Sequence, residues 1–293
     1  MGAVGANARV LLIFAALSAI FVAVGWTLGS LFLGDWVTGA VLFLVIAGLM
    51  NFISYFFSSK IVLMSYRAKL VTEIEAPRLH KIVRQISQTA GMPMPQVAIV
   101  PSQTPNAFAT GRNPKHATVA ATEGLLKMLN DDELTGVMAH EMAHIKDRDI
   151  LVMSVAATLA GAISFASRYV FWGSLFRGGG GRDDGTAIIA IVAAITAPIA
   201  ALLLQMAVSR SREYLADKEG AEMIGRPMTL ANALRKLDGY NKRMPMEIGS
   251  PTSSSLWIVN PFKGSTLVTL FSTHPPIEER IRRLEEMAGY SSL

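Results

Sequence analysis

Four long stretches of this chain carry almost no charge. Residues 10–33, 36–57 and 186–208 contain no Asp, Glu, Lys or Arg, and residues 150–173 contain only Arg168. Each reaches the roughly 18–25 residues that a helix needs to cross the hydrocarbon of a bilayer. Only a helix or a closed barrel satisfies its own backbone groups there, so the four runs predict four membrane-spanning helices. A soluble cytosolic enzyme is excluded. Composition agrees, with 17% charged residues and a mean hydropathy of +0.39, against about 25% charged residues in an ordinary soluble domain.

The first run is not a cleaved signal peptide by this reading. Its 24 apolar residues exceed the roughly 7–15 of a signal core, and the second run follows after only Gly34 and Asp35. Residues 10–57 therefore read as a transmembrane hairpin (10–33, 36–57), and residues 150–208 as a second one (150–173, 186–208). The chain has no cysteine, so disulfides and thiolate ligands are out. Any metal must be held by His, Asp or Glu.

The two polar segments, 58–149 and 209–293, hold 11 basic with 9 acidic and 12 basic with 10 acidic side chains. Both are mixed in sign, which argues against nucleic acid as a partner despite the net charge of +5. The basic bias lies at the membrane edges: Lys60, Arg67 and Lys69, then Lys146 and Arg148, then Arg210 and Arg212. That is the positive-inside pattern. It places both termini and both polar segments in the cytoplasm, as two halves of one domain.

Within the first half, Thr72-x-x-Glu75 has the form of a capping box ahead of Leu79, Ile82, Val83 and Ile86 at helical spacing, stopped at Gly91. Gln96–Val100 and Ala117–Ala121 read as short strands around the turn-rich stretch 101–114. Another helix starts at Asn130, with Asp131, Asp132 and Glu133 well placed in its first turn. The second half predicts helices near 209–224, 229–240 and 275–288, with a Pro/Ser/Gly-rich stretch at 244–255.

The chemistry lies in His140-Glu141-Met142-Ala143-His144. Two histidines four apart share one helix face and can reach one Zn²⁺ together. The intervening Glu141 reaches a water beside the ion rather than the ion itself, the arrangement of a zinc protease. With only 5 His in 293 residues, chance matches to this pattern number roughly 0.004. The bland reading is a membrane-proximal helix with two surface histidines.

A catalytic zinc site needs a third protein ligand and an open position. No His follows His144 within a dozen residues, so a His₃ pattern of that spacing is absent. Glu213, just after the fourth run, can supply the ligand, and Asp217 one turn later can orient a ligating His. Spacing alone also allows both acids merely to balance Arg210 and Arg212.

The four runs, His140-Glu-Met-Ala-His144, Ser209-Arg-x-x-Glu213-x-x-x-Asp217, Asn106-Ala-Phe-Ala and His274-Pro-Pro together resemble the HtpX-type membrane zinc metalloproteases. That family is related to the CAAX prenyl endopeptidases. The resemblance covers essentially the whole chain, in order. It implies an α-helical membrane protein with a mainly helical, α+β gluzincin-like protease domain on the cytoplasmic face. It also implies one catalytic zinc on His140, His144 and Glu213, with Asp217 behind a ligand and Glu141 as general base. His274 and Arg280 would lie beside the site as oxyanion donors. Their other reading is a helix cap and a solvated side chain.

Asn106, Ala107 and Phe108 are similar to the edge strand on which such proteases hold an extended substrate, although Phe108 reads equally as a core anchor. His80 and His116 read as surface or packing residues. The implied partners are misfolded or membrane protein substrates and the lipid bilayer of a prokaryotic plasma membrane, in a quality-control role under stress. A transporter with an incidental metal site is disfavoured, because the runs lack ionisable residues other than Arg168. A prenyl-protein endopeptidase is disfavoured because its relatives enclose a chamber with more spans than four.

Overall fold

A computed structural model describes residues 3–30, 34–176, 210–241, 246, 255–260 and 275–290. The charge-free run 186–208, the Gly-rich turn 178–181 and His274 lie outside the described residues.

Helix α1 (Ala3–Leu28) and helix α2 (Trp36–Ser65) form the expected hairpin. They are the two described helices long and apolar enough to cross a membrane. Both differ from the charge-free runs: α1 begins earlier and α2 continues to Ser65, because helical hydrogen bonding does not stop where hydrophobicity does. Asp35 caps α2 by accepting from Val37 N at 2.9 Å. The two helices touch through glycines. A Cβ on Gly39 would stand 2.2 Å from the Gly25 carbonyl and 2.6 Å from Gly29 Cα, so Gly25-x-x-x-Gly29 acts as a small-residue contact of the membrane type. Leu42, Val45, Leu49, Phe52 and Phe56 on α2 face outward, an apolar surface that lipid would cover.

Strand β1 (Lys69–Leu70) leads to α3 (Pro77–Thr89), which starts later than its sequence signature suggests. Thr72 N and Oγ1 both donate to Glu75 Oε2, at 2.7 and 2.8 Å, but they close a turn ahead of the helix. Strands β2 (Gln96–Val100), β3 (Ala107–Asn113) and β4 (His116–Thr122) complete a sheet ordered β1-β2-β4-β3. The β2–β4 pair is parallel and the others are antiparallel. Much of the stretch expected as turns is thus the seven-residue edge strand β3.

The sheet is buried on both faces, with alternation of period two. Val97, Ala107, Ala109, Val119 and Ala121 face the core shared with α3 and the zinc-motif helix. Ala98, Val100, Phe108 and Ala120 face the roots of α1 and α2. A strand covered on both sides reads as a continuous apolar run, which is why these strands show little polar alternation.

After the short α4 (Glu123–Met128) comes α5 (Asp131–Lys146), capped by a reciprocal pair. Asn130 Oδ1 accepts from Glu133 N at 2.9 Å, and Glu133 Oε2 accepts from Asn130 N at 3.0 Å. It is the central helix, buried on nearly every side from Glu133 to Ile145. The chain does not run straight into α6 (Asp149–Phe176). It breaks at Asp147–Arg148, where Arg148 takes a φ of 60°, and α6 starts afresh at Asp149. Helices α7 (Arg210–Ile224), α8 (Pro227–Asn241) and α9 (Ile277–Met287) pack around α5. Gly220 permits the close approach of α7, since a Cβ there would stand 2.8 Å from His140 N.

Candidate active site

His140, Glu141 and His144 project from α5 into the interior, exposed by only 1, 2 and 3%. The surface-histidine reading fails on this burial. One turn into α7, Glu213 is fully buried opposite them. Its Oε1 lies 3.5 Å from His144 Nε2 and its Oε2 lies 3.8 Å from His140 Nε2. Donors bound tetrahedrally at about 2.0–2.1 Å stand about 3.4 Å apart. The three donor atoms lie within 4.8 Å of one another, so the set has the number, chemistry and spacing of a zinc site.

Both histidines use Nδ1 in the opposite direction. His140 Nδ1 is 2.9 Å from Asp217 Oδ1, and His144 Nδ1 is 3.3 Å from Asp149 Oδ2. A carboxylate at Nδ1 fixes the tautomer that leaves Nε2 free to bind. Asp217 was expected in this place. Asp149 was not, because its position depends on the break at Asp147–Arg148.

Arg280 is fully buried behind His140. It donates from Nε and Nη2 to Asp217 at 2.8 and 2.7 Å, and from Nη1 to the Ile258 carbonyl at 2.8 Å. The solvated reading of Arg280 is therefore incorrect, and its described hydrogen bonds all hold other groups of the chain. One signal was available: Arg280 falls between Ile277, Ile281 and Leu284, on the apolar face of α9.

The charges in this interior are mutually arranged. Burial lowers His140 to about 4 against the opposing pull of Asp217. Burial also lowers His144, but Asp149 and Glu213 outweigh it and raise the group well above its ordinary value. Asp217 is raised by burial and lowered more by the Arg280 charge, to about 2. Burial pushes Glu141 up to about 8, against the opposing pull of the His144 and Arg280 charges and of the Ala109 backbone on β3.

Strand β3 packs against α5. The nearby Asn106–Phe108 groups are engaged within the chain. Asn106 Nδ2 donates to the Val259 carbonyl at 2.6 Å, and Ile258 N donates to the Ala107 carbonyl at 3.1 Å. Phe108 is a core anchor, in edge-to-face contact with Trp257 and 5.6 Å from the Tyr66 ring centroid. Its side chain is not open to a substrate. His80 is a buried packing residue whose Nδ1 meets the Ala76 carbonyl, whereas His116 is exposed at the start of β4, paired with Asn113.

A family model described as "Peptidase family M48" matches residues 73–288. The chain belongs to peptidase family M48. It is 50% identical over 287 residues to a "Protease HtpX homolog" of Pelotomaculum thermopropionicum, covering 96% of this chain and 99% of that one. The homolog from Syntrophobacter fumaroxidans is also 50% identical, with 97 and 100% covered. The one from Pyrococcus furiosus is 49% identical, with 97% of each covered. Among solved structures, that of S. mikatae Ste24p is similar at a TM-score of 0.51 and 17% identity, over 94% of this chain and 65% of that one. That likeness shows the fold alone. M48 membership makes this chain a metallopeptidase, and two of its described helices are long and apolar enough to cross a membrane.

Proposed function

We propose that this chain is a zinc-dependent endopeptidase that hydrolyses peptide bonds in unstructured cytoplasmic or juxtamembrane segments of misfolded or membrane proteins. The observation that carries the reading is the convergence of His140 Nε2, His144 Nε2 and the Glu213 carboxylate from two helices onto one buried point. What zinc supplies in such a site is Lewis acidity, felt by the scissile carbonyl and by a water molecule. Glu141, beside the ligands but directed toward β3, takes the proton of the attacking water and returns it to the leaving amine. Asp217 and Asp149 hold the two imidazoles, and Arg280 holds Asp217. His274, just before α9, is a further donor for the developing oxyanion. The segment around Trp257 and Ile258 already occupies the β3 edge at Asn106–Phe108, so an extended substrate pairs with the β3 backbone beyond it, from Ala109 onward.

The basic membrane edges support a site facing the cytoplasm. Similarity to the HtpX homologs supports a multi-pass protein of a prokaryotic plasma membrane with four spans, acting in quality control under stress.

The experiment is hydrolysis of casein by the detergent-solubilised full chain, before and after chelation and zinc return. Activity that is lost with the metal and regained with it supports the reading. Activity indifferent to chelation, or no hydrolysis by zinc-loaded protein, contradicts it.

A further inference from the structure

The carboxylate of Asp149 is the meeting point of four helices. His144 of α5 approaches it through Nδ1 at 3.3 Å. Arg212 of α7 donates to it from Nε at 2.9 and 3.0 Å and from Nη2 at 2.6 Å, and bonds Asp147 with the same Nη2 at 2.6 Å. Arg9 of α1 places Nη1 3.6 Å from Asp149 Oδ1. Asp149 itself opens α6, and its side chain is only 5% exposed.

A carboxylate this deeply buried is costly unless cations and donors surround it. Here two arginines from different helices keep it charged and fix its plane. A carboxylate so held accepts the Nδ1–H of His144, which leaves the Nε2 lone pair aimed at Glu213, 3.5 Å away. Arg9 gives the arrangement an additional consequence. It belongs to the apolar helix Gly5–Leu28, so the first membrane helix touches the group that orients a metal ligand.

We propose that Asp149 is a positioning residue for His144, held by Arg212 and by Arg9, and that α1 thereby contributes to the metal affinity of the site. The proposal rests on the zinc reading above. His144 holds one of three protein ligands, and a ring free to turn about χ2 loses the alignment of Nε2 with the other two.

The test uses the full chain in detergent, carrying Glu141→Gln to prevent self-hydrolysis. Zinc dissociation is measured by competition with a chromophoric chelator, and the visible spectrum is recorded after cobalt substitution. Asp149→Asn is expected to weaken zinc about 10–100-fold and to alter the cobalt bands at saturation. Arg212→Gln is expected to act in the same direction, with Arg212→Lys retaining more affinity, and Arg9→Gln to give a smaller loss. Thermal unfolding of the metal-free proteins separates positioning from folding. An Asp149→Asn protein that unfolds earlier but keeps the parent's zinc affinity or cobalt spectrum overturns the proposal. An Arg9→Gln protein with unchanged affinity overturns the part assigned to α1. If the parent binds no zinc, the metal reading itself fails, and this inference with it.

Discussion

Asp217 Oδ1 lies 2.9 Å from Nδ1 of His140, and the same carboxylate takes two hydrogen bonds from Arg280 at 2.7 and 2.8 Å. His140, Asp217 and Arg280 thus form one buried chain across α5, α7 and α9. Asp217→Asn is expected to weaken zinc about 10–100-fold. It also leaves the Arg280 charge undercompensated, a loss of about 3–5 kcal/mol for a broken buried pair. Chelator competition and thermal unfolding on the same preparation read the two effects. Unchanged zinc affinity would remove Asp217 from the site.

Gly220 is where α7 crosses the backbone of the zinc-motif helix. A methyl group there meets His140 N at 2.8 Å and Ala139 C at 2.9 Å, and neither can yield as a flexible side chain would. Gly220→Ala is expected to cost roughly 1–3 kcal/mol through overpacking and to weaken zinc by moving Glu213 away from α5. Gly239→Ala on α8 is the control. Its Cβ meets nothing within 4 Å, so the higher helix propensity of Ala should leave stability equal or better. Equal behaviour of the two variants in denaturation would contradict the packing described.

Trp257 seals the edge of β3 against Phe108 and Tyr66, with ring centroids 4.8 and 4.7 Å away. Its Nε1 is buried without a hydrogen-bond partner among the described residues, so the ring acts through packing. Trp257→Ala should cost about 3–5 kcal/mol, and Trp257→Phe clearly less, because no hydrogen bond is lost. The melting temperatures of the two variants decide it. Equal losses would mean that the indole N–H matters after all.

Local signals made much of this protein legible. The hairpin followed from charge-free runs, α5 from its cap and its histidine spacing, and Glu213 with Asp217 from one helical turn plus the family resemblance. What stayed hidden depends on contacts distant in sequence. β3 is rich in small residues and ends in Gly111-Arg-Asn113, a composition that reads as a turn until both faces are covered. Nothing near Asn106 announces that Val259, 153 residues away, will take its amide. Asp149 lies five residues after His144, off the helical face of the motif, and reaches it only because the backbone turns at Arg148.

The proposed metal site lies close to an apolar helix long enough to cross a membrane, since Arg9 of α1 stands beside the acid that meets His144. A folded globular substrate cannot easily reach side chains buried to this depth. One target sequence, placed either in a membrane-tethered flexible linker or inside a stable soluble fold, should be cut much faster in the linker. Cleavage rates from a gel time course measure this, and equal rates would reject the selectivity.

In the proposed site Glu141 separates binding from chemistry, because it lies between His140 and His144 without belonging to the cluster that could hold the metal. The most direct measurement is zinc content by elemental analysis together with peptide hydrolysis, for the unmodified chain, Glu141→Gln and Glu213→Ala. One zinc per chain is expected in the first two, with hydrolysis only in the first, and little zinc and no hydrolysis in the third. Hydrolysis that survives Glu141→Gln, or full zinc retention in an active Glu213→Ala protein, would contradict the assignment of base and ligands.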